Sequence, residues 1–272
     1  DEAAIQRREL IYDTKFLIVD ECHRIAAKTV FDLSGHFKNA KFAAFFTATM
    51  RRLDGCDMDI EAAAGPIKYH IPMADLVEQG WLVRPQVYYL DIPERMVPPN
   101  KSYLMTTKKY DDIRDFHIDS NDERNRLLAE AAEILVSKGH QTLISVRHIE
   151  HGNRLKELLP EAVEIYGNTF NRVRLFEDFK EGKTTVVIST LCGEGFDMPS
   201  LSAVIIAHDT QDSQQIIGRT VRLHPGKEKS IVVHPYDHHY VFKNHRRYNE
   251  KVFYNPQNID RKIITRSNLY EL

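Results

Sequence analysis

Apolar and polar positions alternate in two regimes along the chain, and from residue 120 onward the pattern is regular. Leu127, Leu128, Ala131, Ile134 and Leu135 recur at helical spacing as far as Gly139, and the run Ser120-Asn121-Asp122-Glu123 before them has the spacing of a capping box. Residues 141–146 then read as a strand and 148–159 as a helix stopped by Pro160. Residues 163–166 form a short strand, 171–181 an amphipathic helix ending at Gly182, and 185–189 a buried strand. Two more strands are predicted at 203–207 and 230–234. Strands alternating with helices imply βαβ crossovers and a parallel sheet.

Before residue 120 the signals are sparser. Residues 1–15 are charged and helix-compatible, Phe16-Leu17-Ile18-Val19 reads as a short buried strand, and 26–37 as helix and loop. A second apolar run, 41–46, follows; residues 65–92 alternate short β-prone runs with a helix-like stretch at 73–79. Residues 93–119 carry Pro93, Pro98 and Pro99 without clean periodicity, which predicts a linker holding one helix around 110–116. The expected division is therefore 1–92, a linker 93–119, a second domain 120–240 and a C-terminal extension 241–272.

Composition narrows the class without naming it. A chain of 272 residues has room for two cores. Lys and Arg number 37 against 39 Asp and Glu, a net charge of -2, so no global basic footprint announces nucleic acid, although a local basic groove would escape such a count. Cys22, Cys56 and Cys192 are far apart and form no CxxC pair, which fits a reducing interior; we expect a cytoplasmic protein, in the nucleoid or in a host cytoplasm if bacterial or phage. No run approaches the roughly 20 apolar residues that span a bilayer, so no membrane partner is expected.

Candidate chemistry gathers where predicted strands end. Asp20 and Glu21 follow the first strand, and Thr47-Ala48-Thr49 follows the second; in open α/β sheets that edge is where ligands bind. Adjacent carboxylates at a strand end suit a hard cation such as Mg²⁺ carrying phosphates. Further along, Gln215, Gly218, Arg219 and Arg222 fall at i, i+3, i+4 and i+7, which predicts one helical face with Ile216, Ile217 and Val221 turned into the core. Two guanidiniums a turn apart can fork onto phosphate oxygens. Gly182-Lys183-Thr184 spells the tail of a phosphate-binding loop, but Glu177 stands where that loop needs glycine and the order is helix then strand, so it reads as a helix C-cap. His234, Asp237, His238, His239 and His245 are metal-ligand types without a recurring spacing, and a solvated face is the preferred reading of 242–248.

Taken in order, these segments resemble the motifs of the superfamily 2 helicases and translocases. Asp20-Glu21-Cys22-His23 resembles the DExH motif II, Thr47-Ala48-Thr49 motif III, and Leu143-Ile144-Ser145-Val146-Arg147 motif IV. Thr190, Glu194, Gly195, Asp197 and Pro199 match motif V, and Gln215-Ile216-Ile217-Gly218-Arg219-Thr220-Val221-Arg222 matches the QxxGRxxR motif VI. Within the superfamily the chain is most similar to the XPB-like and UvsW-like branch, where Met50 replaces a usual proline.

The resemblance implies an α/β fold of two parallel-sheet RecA-like lobes, the first incomplete and the second complete, with ATP and Mg²⁺ as cofactors. It implies that Asp20 holds the metal, Glu21 acts on water, and His23, Thr47 and Thr49 couple nucleotide state to the lobes. Gln215, Arg219 and Arg222 would act at the γ-phosphate, Gly195 and Asp197 at the nucleotide, and Arg147 and Thr190 on a nucleic-acid strand, DNA ahead of RNA. The phosphate-binding loop is absent from these residues, and the start at Asp1 with motif II so close behind leads us to expect it upstream in the parent. Two other readings stay open: a non-catalytic nucleic-acid-binding or scaffold module, and the motor part of a restriction enzyme.

Overall fold

The computed structural model describes residues 2–26, 32, 35–49, 57–191 and 198–272, and divides into two compact units, Asp1–Ile71 and Pro72–Leu272. In the first unit, α1 (Glu2–Asp13) leads into β1 (Phe16–Val19), a 3-10 turn (Cys22–Ala26), β2 (Phe42–Phe45) and α2 (Asp57–Ala64). The two strands are parallel and in register from Phe16 opposite Phe42 to Val19 opposite Phe45. Because side chains alternate along a strand, only one face can reach the turn and α2. On that face Val19 and Phe45 pack against Cys22, Ile25 and Ile60, while Phe16, Ile18 and Phe42 are exposed. Most of the helix and loop expected over 26–37 falls outside the described residues.

The second unit opens with α3 (Met73–Glu78), β3 (Arg84–Asp91), a 3-10 stretch (Pro99–Met105) and α4 (Tyr110–Arg114), which continues as a π-helical turn (Asp115–Asp119). Next come α5 (Asp122–Ser137), β4 (Thr142–Ser145), α6 (Ile149–Leu158), β5 (Val163–Ile165), α7 (Arg172–Lys180) and β6 (Val186–Ser189). It ends with β7 (Ala203–Ile206), α8 (Gln214–Thr220), β8 (Lys229–Tyr236), α9 (Tyr240–Asn249) and β9 (Arg261–Ile264). These strands make one seven-stranded sheet in the order β5-β6-β4-β7-β8-β3-β9, parallel at every pairing.

Its central strands are near-continuous apolar runs because both faces are covered. Ile144, Ile188, Ile205, Ile231 and Val233 join the core formed with Leu127, Leu128 and Leu135 of α5 and Leu155 of α6. Their neighbours Leu143, Val187, Val204, Ile206 and Val232 point the other way, to Phe179 of α7, Ile216 and Ile217 of α8, and Phe253 and Tyr254 after α9. Fully burying a side chain of this kind contributes roughly 1.5–3 kcal/mol, so the sheet is a stiff platform. Among the described residues no helix is long and apolar enough to cross a membrane.

The expected α/β parallel class is what the structure has, but the division of the chain differs. Residues 72–92, expected in the first domain, belong to the second unit, because β3 pairs along its whole length with β8, from Arg84 opposite Lys229 to Asp91 opposite Tyr236. Residues 241–272 are likewise part of this unit: β9 pairs with β3, and Leu269 and Leu272 enter the core. The expected linker packs too, with Ile113, Phe116 and Ile118 buried. The predicted capping box also shifts by one residue. Asn121 caps α5, its side chain accepting from Arg124 N at 3.3 Å, while Ser120 Oγ donates to Asp115 Oδ1 at 2.7 Å.

Candidate functional site

In the first unit the aligned ends of β1 and β2 bring the DExH and threonine segments to one edge. Phe46 N donates to Val19 O at 2.8 Å and Cys22 N to Phe46 O at 2.9 Å, so the chain after each strand stays laced to the other. Asp20 and Glu21 are exposed there, and Asp20 Oδ1 accepts from the Glu21 N–H at 2.8 Å. Glu21 adopts a φ of 52°, the left-handed region that L-residues with a full side chain seldom occupy. Strain of this kind persists where surrounding contacts over-determine it, and it concentrates at functional sites.

His23 is the hinge of the array. Its Nδ1 lies 2.9 Å from Thr47 Oγ1 and 3.3 Å from Glu21 Oε2. Thr47 has one hydroxyl proton and donates it to Thr49 O at 2.9 Å, while Thr49 N donates back to Thr47 Oγ1 at 3.2 Å. The His23 contact therefore requires the proton on Nδ1, the imidazole donating to Thr47 and facing the Glu21 carboxylate. Glu21, His23, Thr47 and Thr49 thus form one network. Cys22, between them in sequence, is buried; burial pushes its thiol up, as do the charges of Asp20 and Glu21, so it packs rather than reacts.

In the second unit Gln215 and Arg219 lie half-buried on α8, whose Ile216 and Ile217 are buried as expected. Arg222 is not on that helix. The helix stops at Thr220, and Arg222 forms an antiparallel bridge with Leu82 while Val83 N donates to Val221 O at 2.8 Å, which draws the chain out of the helix. Lys227 then pins the segment, donating to Arg222 O and Pro199 O, each at 2.9 Å. Burial, with the Arg222 charge beside it, lowers Lys227 to about 8. Arg147 is exposed just past β4 and Thr190 half-buried just past β6; these strands are neighbours, so both stand on one stretch of the carboxyl edge. Gly195 and Asp197 lie outside the described residues.

Sequence reasoning missed a polar cluster at the carboxyl ends of β7 and β8. Asp209 accepts from the Tyr110 hydroxyl, and His245 Nδ1 lies 2.8 Å from the same carboxylate oxygen. Burial raises the Asp209 carboxyl, and the bonds from His245 and Tyr110 more than offset it, holding the group below its ordinary value. Nearby, Arg124 is fully buried: Nε and Nη2 donate to Asp237 Oδ1 and Oδ2 at 2.9 and 3.1 Å, and Nη1 to Ala207 O at 2.6 Å. Position just past a predicted strand, the criterion that singled out Thr190, would also have found Asp209.

The tail histidines resolve into separate structural roles. His234 bonds to the Tyr254 hydroxyl at 3.0 Å, His238 to Asp91 at 2.6 Å, and His239 caps α9. Among the described residues no group of three or more His, Cys, Asp or Glu side chains is placed to hold a metal ion. Asp20 with Glu21 is a different proposition, since Mg²⁺ takes one or two carboxylates and completes its shell with water and phosphate. Both carboxylates are exposed hard donors, which fits such an ion.

Known proteins resemble this chain over much of its length. Residues 123–224 match the model of the helicase conserved C-terminal domain. The chain is 26% identical over 241 residues to the putative mitochondrial ATP-dependent helicase irc3 of Schizosaccharomyces pombe, a match covering 80% of this chain and 38% of that protein. It is 26% identical over 219 residues to the DNA 3'-5' helicase XPB of Kineococcus radiotolerans, covering 77% and 37% respectively. The fold is similar to that of S. cerevisiae Dbp5 bound to RNA and ADP BeF3, with a TM-score of 0.63 and 17% identity over 98% of this chain and 64% of that one. The chain spans less than half the length of the curated relatives it matches. A domain match within the covered parallel sheet, and relatives that bear the helicase name, support reading the second unit as the C-terminal lobe of a superfamily 2 helicase.

Proposed function

We propose that the chain is part of an ATP-dependent helicase or translocase that couples Mg-ATP hydrolysis to movement along a nucleic-acid strand. The observation that supports this most is the first unit's network, in which the Glu21 carboxylate and the Thr47 hydroxyl meet on a single His23 nitrogen. Such a relay lets a change at the carboxylate reach a second segment of chain. The names of the relatives point the same way, to ATP-dependent action on nucleic acid, one of them naming DNA while the similarly folded Dbp5 is bound to RNA; our reading keeps DNA ahead of RNA.

Asp20 would hold Mg²⁺ through water, and Glu21 would orient the attacking water and take its proton. Bound Mg²⁺ would neutralise charge on the phosphate oxygens. His23 would register the state of Glu21 and pass it to Thr47 and Thr49, whose mutual hydrogen bonds fix the turn they occupy. Arg219 and Arg222, with Gln215, would bind phosphate charge through planar donors, and Gly195 and Asp197 would contact the nucleotide. Arg147 and Thr190 would hold the strand by its phosphates, so stepping would be indifferent to sequence.

Glu21→Gln in the full-length parent tests the reading. Nucleic-acid-stimulated ATP hydrolysis is expected to fall about 100-fold or more, the usual yield of a positioned base, with nucleotide binding retained. Undiminished turnover would remove Glu21 from that role.

A further inference from the structure

Phe170 is the most exposed large apolar side chain among the described residues, at 86%. Its backbone is held firmly. Thr169 N donates to Tyr166 O at 3.1 Å, Tyr166 N donates to Thr169 Oγ1 at 2.8 Å, and Arg172 Nη1 reaches back to Gly167 O at 3.0 Å. Asn171, with a φ of 57°, then turns the chain into α7. A phenyl ring on a tightly bonded loop cannot collapse onto the core, so it stands in water at a standing cost that a partner would relieve.

The surroundings say which partner. Ile165, Ser189 and Ser145 lie in one row across β5, β6 and β4, and Ser189 Oγ donates to Ile165 O at 2.6 Å, locking the row at its carboxyl end. The Phe170 loop, Thr190 and Arg147 leave from the ends of these three adjacent strands. At about 4.8 Å between strands, they make a strip ~10 Å wide before side chains are counted. Arg172 and Arg174 in the first turn of α7 are exposed, that turn has no acidic residue, and Arg147 is exposed at the strip's far end. An aromatic ring at one end of a cationic strip suits a flexible polyanion with flat apolar faces.

We propose that Phe170 is a stacking platform for a base of single-stranded nucleic acid, while Arg147 and the α7 arginines hold the flanking phosphates. This rests on the strand-binding reading above and adds a base-contacting residue to it. Stacking is tolerant of base identity, so it is compatible with stepping that ignores sequence.

The test uses the 272-residue chain and fluorescein-labelled 12-mers: thymidine DNA, uridine RNA, and a DNA backbone wholly lacking bases. Phe170→Ala is expected to weaken binding of at least one base-bearing strand by about tenfold and leave the abasic strand unchanged, with Phe170→Trp restoring affinity. Arg147→Ala should weaken all the strands that bind and flatten their salt dependence. Whichever of DNA and RNA loses affinity is the strand that stacks. Phe170→Ala binding base-bearing strands as wild type does, or losing equally on the abasic strand, overturns the stacking role and leaves strand binding standing. Wild-type chain that binds none of the 12-mers at low salt overturns strand binding and stacking together.

Discussion

The two units cover their parallel sheets unequally. In the second unit the interior strands β6, β4, β7 and β8 are covered on both faces, with Ile188 and Ile205 under α5 and α6 and Val187 and Val204 under α7 and α8. Among the described residues of the first unit Phe16, Ile18 and Phe42 are exposed, and the cover is a small cluster around Cys22, Ile25 and Ile60. Yet the smaller unit carries the acid pair, the strained Glu21 and the His23 relay. Among the described residues the left-handed Glu21 stands beside the thinner cover, and the well-packed sheet supplies a fixed edge.

The sharpest break in that contrast comes from the buried ion pair of the second unit. Arg124→Ala leaves the Asp237 carboxylate inside without its cation and should cost about 3–5 kcal/mol, read as a lower urea midpoint with little change in slope. Replacing both partners with apolar residues, Arg124→Met with Asp237→Leu, should recover most of the loss.

Acid provides the next lever. His117 is buried among Phe116, His239 and Phe242, facing Arg95 as well as Asp237 and Glu94, and burial lowers it to about 4; His234 is lowered to about 3 by burial. A depressed imidazole stays neutral in the folded chain while the unfolded chain takes up a proton below about 6.5. The second unit should therefore keep full stability above that pH and lose it as pH falls toward 4, on the order of 3 kcal/mol from His117 alone. Thermal melts between pH 7 and 4.5 would show it; a midpoint that does not fall would count against the buried neutral state.

The smallest effect has the opposite sign and belongs to the first unit. Glu21→Gly removes the left-handed strain and should stabilise residues 1–71 by about 1 kcal/mol, while hydrolysis by the parent is lost. Slower amide exchange in β1 and β2 is the measurement, and unchanged exchange would mean that the strain stores nothing.

Much of the second unit was legible because its signals are local. The helical spacing of Leu127 to Leu135 and the runs at Val186–Ser189 and Ala203–Ile206 fix elements within a few residues of themselves. What was illegible is non-local. Nothing within 72–92 says that Val87 will sit between Val232 and Arg261, so the domain boundary was misplaced. Arg222 was expected on a helix because a spacing of 3.6 cannot foresee Leu82 pulling the chain straight. The histidine-rich tail pointed to ligand chemistry by residue type alone, whereas its hydrogen bonds to Tyr254, Asp91 and Asp209 needed the fold to bring them near. In the first unit the motif order singled out Asp20, Glu21, His23 and Thr47 as candidates, but did not foresee the contact of His23 Nδ1 with both Glu21 and Thr47.

The placement of β3 has a consequence for how the protein is made. This strand emerges early but waits for β8 and then for β9, whose partner residues lie at Lys229–Tyr236 and Arg261–Ile264. Until residues 261–264 are synthesised, one side of β3 offers a row of unmet amides and carbonyls to any neighbouring polypeptide. A ribosome stalled short of Arg261 would thus release a sticky intermediate, and chaperone demand should track the synthesis of β9 rather than the first unit.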